Sequence, residues 1–553
     1  MVRIRVMVGA GLVTALAVSA GLGAARAANG SPRASHVLVI SVDGMHQSDL
    51  TWYVKNHPHS TLAALDENGA DFSNAQTTIP SDSFPGVVAP FTGGGPQSAG
   101  IYYDDTWNHG VFPAGTTACN KPVPGAEVPY MEADDKNQTR LDAGQGIASE
   151  LSNDNILAMT SNPDAVINPA NLPVDPTSCQ PIYPHSYLQV NTVFNVAHNA
   201  GLRTAWSDKH PANEILDGPS GLGVNDFFSP EINSDNPGPP TFAAGDWTTD
   251  NAATMKYDGY KVDAVENWID GFNHQHTAHP GTPAIFGMNF QTVSTAQKLP
   301  TSDGLTGGYV MQGGQLVPGP LLTRAFDYIN DSLTSFVNHI DNDGLANSTV
   351  IILTAKHGQS PMNPADLIRI DDGAIITALN QAWCGCTAPA SPLVVFSADD
   401  DGMLLWLSDR SSAATSFAKH FLENFSGTNG NNTTTTGIHY SHAGLAQIFA
   451  GDDAAHYFHV QPGDQRVPDI FGIAQYGVVY TGGTAKIAEH GGAHVDDLNV
   501  PLLVAGNPIG DEATDTDTVH TAQIAPTILE LLGLDPNLLQ AVQIEHTAAL
   551  DLH

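Results

Sequence analysis

The chain has 553 residues, of which 41% are hydrophobic and 14% are charged, a balance typical of a globular protein and not of a disordered one. Its 57 acidic and 20 basic side chains give a formal net charge of −37. Such a surface repels nucleic-acid backbones and anionic membranes, which argues against a nucleic-acid duplex as the partner. A small anionic substrate would need a local positive group, either a metal ion or a focused lysine.

The N-terminal segment has the pattern of a signal peptide. Arg3 and Arg5 precede an apolar run over residues 6–22, and residues 25–27 (ARA) provide small side chains at a cleavage position. The pattern predicts removal of residues 1–27 and a secreted protein with no membrane contact after cleavage; a retained membrane anchor is the alternative. No obligate protein partner is evident, and a small-molecule substrate is expected.

Four cysteines fit the oxidising environment expected for an exported protein. They allow three pairings, of which we favour Cys119 with Cys179 and Cys384 with Cys386. A zinc site built from the four is disfavoured because no CxxC pair is present.

Taken in chain order, the predicted elements alternate between strands and helices. The run over residues 36–44 (HVLVISVDG) is typical of a strand buried on both faces, with Asp43 at its carboxyl end. The further predicted elements are a helix over 60–68, a helix and strand over 192–206, an apolar strand over 284–290, a helix over 321–340, strands over 349–354 and 402–407, a helix over 411–425, strands over 478–480 and 500–504, and a closing helix over 521–532. This alternation predicts an α/β fold with a mostly parallel central sheet flanked by helices.

The domain organisation follows from a change in composition. Residues 34–553 are expected to form one catalytic domain. Within it, Gly, Pro, Asn and Asp with interleaved aromatic residues mark a large insertion over about 108–280, and a smaller α+β subdomain is expected over about 380–480.

Polar clusters follow a strand or a constrained turn in four segments that are distant in sequence. They are 42–44 (VDG), 80–85 (PSDSFP), 355–358 (AKHG) and 489–494 (EHGGAH). One edge of a parallel sheet could gather all four. A carboxylate with neutral imidazoles is a ligand set that zinc prefers, and a serine beside a metal loses its proton more readily.

These segments resemble the type I phosphodiesterase/nucleotide pyrophosphatase family of the alkaline phosphatase superfamily. The resemblance covers most of residues 36–105, 284–358 and 466–540, including the C-terminal stretch DTVHTAQIAPTILELLGLDP. It implies an alkaline-phosphatase-like fold, Ser83 as the catalytic nucleophile, and Asp43, His357 and His490 as metal ligands. The cofactor it implies is zinc or another divalent metal.

Several positions depart from the family pattern. Lys356 stands where the family has a metal-binding Asp, and an ammonium group cannot ligate a metal. The family's D-x-x-x-H pair has no counterpart in MNFQTVSTAQK, in which Gln297 matches the His position. Asp104 stands where the family has a substrate-binding Asn, and it would disfavour an anionic group. The site therefore holds one metal ion rather than two, or none.

A metal-free interpretation has to be weighed equally. Lys356 could replace the missing cation and pair with Asp43, could act as the base towards Ser83 as a second catalytic residue, or could form a salt bridge in an inactive site. Residues 208–211 (DKHP) could line the entrance to the site, although an exposed loop is the simpler interpretation of His210.

Three functions are consistent with this pattern. The first is a secreted hydrolase that attacks a phosphoester-type bond through Ser83. The second is a hydrolase of the same fold that acts on a non-phosphate bond through Ser83 and Lys356. The third is a catalytically silent binding protein. We favour the first.

Overall fold

The computed structural model describes residues 33–147, 153–429, 437–509 and 514–552. The predicted signal peptide, residues 1–27, lies outside these ranges. In the described ranges, every helix is too short or too polar to span a bilayer.

The core of the molecule is a seven-stranded sheet. Its strands are β1 (His36–Val42), β2 (Gly69–Asp71), β3 (Ala205–Ser207), β4 (Asp226–Phe228), β5 (Ile285–Phe290), β6 (Thr349–Thr354) and β7 (Leu503–Ala505). They lie in the order β2-β7-β6-β1-β5-β3-β4. The pairs from β6 to β4 are parallel, whereas β7 runs antiparallel to both β6 and β2. The prediction of a mostly parallel α/β sheet is therefore confirmed.

The central strands are apolar because both faces of the sheet are covered. Every residue of β5 and β6 is buried. Along β1, Val37 and Val39 join one buried apolar cluster, and Leu38 and Ile40 join a second cluster on the opposite face. This alternation is the period of two expected of a strand, with helices packed on each side.

Ten α-helices of seven or more residues are found in the described ranges. They are α1 (Gln47–Asn56), α2 (Thr61–Glu67), α3 (Ser83–Thr92), α4 (Val193–Asn199), α5 (Asn251–Ile269), α6 (Thr292–Lys298), α7 (Pro320–Asn342), α8 (Asp372–Cys384), α9 (Ser412–Asn424) and α10 (Ile524–Leu531). The predicted helices at 60–68, 192–201, 321–340, 411–425 and 521–532 correspond to α2, α4, α7, α9 and α10.

A second, antiparallel sheet has four strands. In spatial order they are Val394–Asp399, Gly402–Leu407, Ile470–Ala474 and Leu445–Ala450. All four lie within the range 380–480, where a smaller subdomain is expected. By contrast, the range 108–280, expected to be an insertion, contributes strands β3 and β4 to the central sheet.

Two disulfides link the four cysteines. Cys119 bonds to Cys179 and Cys384 bonds to Cys386, with S–S distances of 2.06 Å and 2.05 Å. The pairing favoured from the sequence is confirmed.

Candidate active site

Four neighbouring parallel strands end at the same edge of the central sheet. Their register sets Ser41 opposite Thr354, Val42 opposite Phe290 and Ser207 opposite Met288. The chain therefore leaves each strand at a similar height, and the next polar residues meet there: Asp43 after β1, Lys356 after β6, Gln291 after β5 and Lys209 after β3. The carboxyl ends of parallel strands are where open α/β sheets bind their ligands.

Ser83 reaches this edge from the first turn of α3. The Asp82 side chain caps the helix and accepts a hydrogen bond from the Phe84 amide at 3.1 Å. At Gly86 the helix touches the Lys356 carbonyl so closely that a Cβ would collide with it. The start of α3 is therefore held against the end of β6.

The Ser83 hydroxyl lies between two basic side chains. Its Oγ is 2.7 Å from Lys209 Nζ, which donates a hydrogen bond to it, and 3.4 Å from His357 Nε2. His357 Nδ1 lies 2.9 Å from the Gly358 carbonyl, and donating to that oxygen leaves Nε2 as the acceptor of the ring. The geometry thus directs the hydroxyl proton of Ser83 towards His357.

The Asp43 carboxylate is the anionic centre of the site. Its Oδ2 lies 3.9 Å from Lys209 Nζ, 4.0 Å from Lys356 Nζ and 3.9 Å from His357 Nε2. Burial alone would raise the pKa of Asp43, but Lys356, His357 and Lys209 together lower it below its usual range. Asp43 therefore stays ionised at neutral pH.

The two lysines are themselves held by carboxylates. Lys356 Nζ is 2.7 Å from Asp208 Oδ1, and both side chains are almost fully buried. Burial alone would lower the pKa of Lys209, but Asp43 and Asp104 raise it above its ordinary value. Lys209 therefore carries a positive charge against the Ser83 hydroxyl.

The two histidines are neutral, and their rings pack against each other at an angle of 31°. Burial, with Lys209 and Lys298, lowers the pKa of His357 to about 4, although Asp43 opposes the change. The ring of His490 lies 3.9 Å from that of His357, and burial lowers its pKa well below the usual range.

A buried carboxyl group, that of Asp82, lies beside the histidines. His490 Nδ1 is 3.5 Å from Asp82 Oδ1. Burial and the nearby Asp104 raise the pKa of Asp82 well above its ordinary value. Asp82 Oδ1 and His490 Nδ1 are both buried without a hydrogen-bond partner in the part of the chain that the structure describes.

The structure brings together the side chains that the sequence singled out at this edge. Asp43, Ser83, Lys356 and His357 are each no more than 1% exposed. Lys209 and His490 are the more exposed members of the group, with side chains 12% and 11% exposed, and a substrate is expected to enter on their side. Asp104 lies near enough to Asp82 and Lys209 to affect the pKa of each.

Lys209 is the site residue that the sequence analysis did not assign. Its segment was expected to line an entrance, whereas it follows strand β3 of the central sheet and reaches Ser83 directly. The expectation that His210 lies in an exposed loop is wrong. His210 is 4% exposed, and its Nδ1 lies 2.8 Å and 3.0 Å from the two carboxylate oxygens of Glu231.

The residues at this edge do not fit a divalent metal ion. Both oxygens of Asp43 accept hydrogen bonds from amides, Oδ1 from Asn289 at 2.7 Å and Oδ2 from Gln291 at 2.5 Å. Two ammonium groups, those of Lys209 and Lys356, lie where a cation bound by Asp43 would lie. Amide and ammonium hydrogens are donors and cannot serve as ligands.

Another group of side chains has the spacing of metal ligands. Among the described residues, Asp164, His185 and Glu214 bring three ligand atoms within 4.8 Å of one another. His185 Nδ1 already bonds to Glu214 Oε2 at 2.6 Å, so the pair is satisfied as it stands. Sequence reasoning did not find this group because its members are far apart in the chain.

The sheet, the covering helices and the polar edge define an alkaline-phosphatase-like fold, and solved structures share it. Murine ectonucleotide pyrophosphatase/phosphodiesterase 5, as an inactive variant in complex with AMP, superposes with a TM-score of 0.53 at 11% identity, covering 91% of this chain and 96% of that one. The alkaline phosphatase PafA gives 0.56 at 14%, covering 92% and 97%. Phosphonoacetate hydrolase from Sinorhizobium meliloti, in complex with phosphonoformate, gives 0.50 at 15%, covering 92% and 98%.

A match over most of the sequence shows the family of the chain. Residues 37–495 match the model of the type I phosphodiesterase/nucleotide pyrophosphatase family, and the chain belongs to that family. No curated protein matches the chain. Family and fold together support a phosphoester hydrolase.

Proposed function

We propose that the protein is a secreted hydrolase that cleaves a phosphoester bond by nucleophilic attack of Ser83. The observation that carries the proposal is the position of the Ser83 hydroxyl, 2.7 Å from a lysine ammonium and 3.4 Å from a neutral imidazole nitrogen. A serine alcohol is a weak nucleophile, and an adjacent base that accepts its proton is what activates it.

The reaction would proceed in two displacements at phosphorus. In the first, the Ser83 Oγ–P bond forms and the ester P–O bond breaks, while the Ser83 proton passes to His357 Nε2 and the departing oxygen, on the opposite side of phosphorus, takes a proton from solvent. In the second, water attacks phosphorus from the side that the first leaving group left and gives a proton to solvent, the Oγ–P bond breaks, and His357 returns its proton to Ser83 Oγ. The departing group leaves as an alcohol or a phosphate. The group transferred through Ser83 leaves as phosphate or a phosphate monoester, and the site returns to its starting state.

The remaining residues position these groups. Asp43 lies between the two lysines and helps to hold Lys209 against the nucleophile, and His490 packs on the ring of His357 and limits its motion. Asp104 lies at the exposed side, where it would select among substrate groups by repelling a second negative charge. Secretion rests on the predicted signal peptide, and the two disulfides support an oxidising environment.

The test is hydrolysis of a panel of nitrophenyl phosphoesters and carboxylic esters by wild type and by Ser83→Ala. We expect the wild type to act on a phosphoester and the variant to lose about 10³-fold or more in kcat. Ser98→Ala is the matched control because Ser98 is buried and its hydroxyl lacks a hydrogen-bond partner. Wild-type activity on carboxylic esters alone, or full activity of Ser83→Ala, would contradict the proposal.

A further inference from the structure

Two lysines stand where a metal-dependent site would have its cations. Lys209 and Lys356 place their Nζ atoms 3.9 Å and 4.0 Å from the same oxygen, Oδ2 of Asp43. Lys209 Nζ also lies 2.7 Å from Ser83 Oγ. A metal ion shared by Asp43 and Ser83 would lie about 2 Å from an oxygen of each. The Lys209 ammonium group lies next to that space, so it and a metal ion exclude each other.

The other polar groups favour ammonium groups over a metal ion. Asn289 and Gln291 each donate an amide hydrogen bond to Asp43 and fix the orientation of its carboxylate. Asp208 pairs with Lys356 at 2.7 Å. Within contact distance, Asp43 and Asp208 as anions balance the two lysines as cations, so a divalent ion added beside them would leave only the nearby Asp104 to offset its charge.

Resting on the proposed function, we infer that Lys209 and Lys356 replace the divalent cations, so that this chain binds a phosphoryl group without a metal. Lys209 is then a catalytic residue: it touches the nucleophile and faces the accessible side from which a phosphoryl group approaches. A lysine ammonium binds phosphate oxygens as a point charge and needs no fixed coordination geometry. Lys356 is a positioning residue that acts through Asp43 and Asp208.

Metal content and phosphate-mimic binding test this inference without depending on turnover. Purified wild type should contain no stoichiometric zinc before any chelator is added, and after EDTA treatment it should still bind orthovanadate in a calorimetric titration. Lys209→Met should weaken that binding by about 10-fold or more, since the charge is removed and the side-chain length is kept. Lys55→Met, which removes a charge from an exposed position, is the matched control.

A second variant keeps the inference testable if Lys209→Met does not fold. The double substitution Lys209→Ala with Lys356→Asp removes both ammonium groups and supplies a carboxylate at the position where the family has one. It should gain about one zinc ion per chain, because Asp43, His357 and the new carboxylate are then ligands around an empty space.

The outcomes separate this inference from the proposed function. Wild type that hydrolyses no phosphoester but binds orthovanadate in EDTA would refute the proposed function and keep the lysine site. Stoichiometric zinc in the wild type, or vanadate binding that EDTA abolishes and zinc restores, would overturn the inference and leave Ser83 as a nucleophile intact.

Discussion

Two side chains flank the hydroxyl of Ser83: a hydrogen-bond donor, Lys209, and a proton acceptor, His357. Lys209 donates to Oγ, and the free nitrogen of His357 is 3.4 Å away. Because His357 Nδ1 is engaged by the Gly358 carbonyl, the tautomer is fixed by the backbone of its own turn. The direction of proton transfer is therefore built into the loop that follows β6.

Replacement of His357 tests this direction. His357→Asn should lower kcat by about 10²- to 10⁴-fold, the range expected when a general base is removed, and should leave KM nearly unchanged. His420→Asn, at an exposed position in α9, is the control. Steady-state kinetics with the best phosphoester decides, and a variant with wild-type kcat would show that another group accepts the proton.

A second residue-scale prediction concerns Asp71, on strand β2 away from the active site. Burial, with the neighbouring Asp66, raises the pKa of Asp71 to about 6, although Gln47 donates to its carboxylate. In the unfolded chain this carboxyl ionises near 3.8. Unfolding therefore releases a proton between about pH 4 and 6, so stability falls as pH rises through that window and stays lower above it.

Asp71→Asn removes this pH dependence. Above pH 7 the variant should be more stable than wild type by about 2 kcal/mol, and near pH 4 the two should be alike. Urea unfolding at both pH values measures the difference. A variant that is equally destabilised at both would show that Asp71 is needed as an ionised carboxylate.

At the scale of elements, helix α3 sets the position of the Ser83 hydroxyl relative to His357. Gly86 lies one turn after Ser83 and packs on the Lys356 carbonyl, with no room for a methyl group. The contact ties the start of the helix to the strand that carries Lys356 and His357. Any outward movement of α3 would therefore lengthen the distance from Ser83 to His357.

Gly86→Ala is expected to cause that movement. It should lower kcat by about 10- to 100-fold, as a misplacement of about 1 Å does, and cost about 1–3 kcal/mol of stability through overpacking. Gly259→Ala, inside α5, is the matched control because its Cβ would meet nothing closer than the Tyr328 hydroxyl at 3.4 Å. Helix propensity predicts that the control is neutral or up to about 1 kcal/mol more stable. Equal kinetics for the two variants would contradict the role of α3.

The central strands and the long helices could be predicted from sequence. The strand at 349–354 has the predicted bounds, and α7 is the predicted helix with two or fewer extra residues at each end. In both cases the apolar pattern is local and long enough to be distinctive. The reversed direction of β7 could not be predicted, because composition does not encode which way a strand runs.

The site residues that could be predicted from sequence are those in a motif next to a clearly apolar strand. Asp43 and His357 follow largely apolar strands, and the turn that carries Ser83 has prolines on either side. Lys209 follows a three-residue strand whose place in the sheet depends on pairing Ser207 with Met288, 81 residues later. Such pairing is a long-range property, and no local pattern marks it.

For the whole molecule, charge is the dominant feature. The net charge of −37 belongs to a molecule in which the two lysines beside Asp43 are largely buried, with side chains 12% and 1% exposed. An anionic substrate is therefore repelled at a distance and attracted only at close range. Dissolved salt screens the long-range repulsion more strongly than the short buried contacts.

The rate at which the protein binds an anionic substrate should accordingly rise with ionic strength. Between about 0.02 and 0.2 M NaCl, kcat/KM for an anionic phosphoester should increase by about 2- to 10-fold, while kcat stays constant. A substrate with a neutral leaving group and fewer negative charges should respond less. A fall in kcat/KM over this range would indicate that positive charge outside the described site guides the substrate.

The central claim is that the phosphoryl group is transferred to Ser83 and forms a covalent intermediate there. Wild type mixed with a phosphoester, quenched in acid within a single turnover and digested to peptides, should show one added phosphoryl group on the peptide containing residues 80–85, with the site of modification at Ser83 by fragmentation mass spectrometry. Turnover of the same substrate with phosphorylation at another residue, or with oxygen exchange showing direct attack of water and no modified peptide, would contradict it.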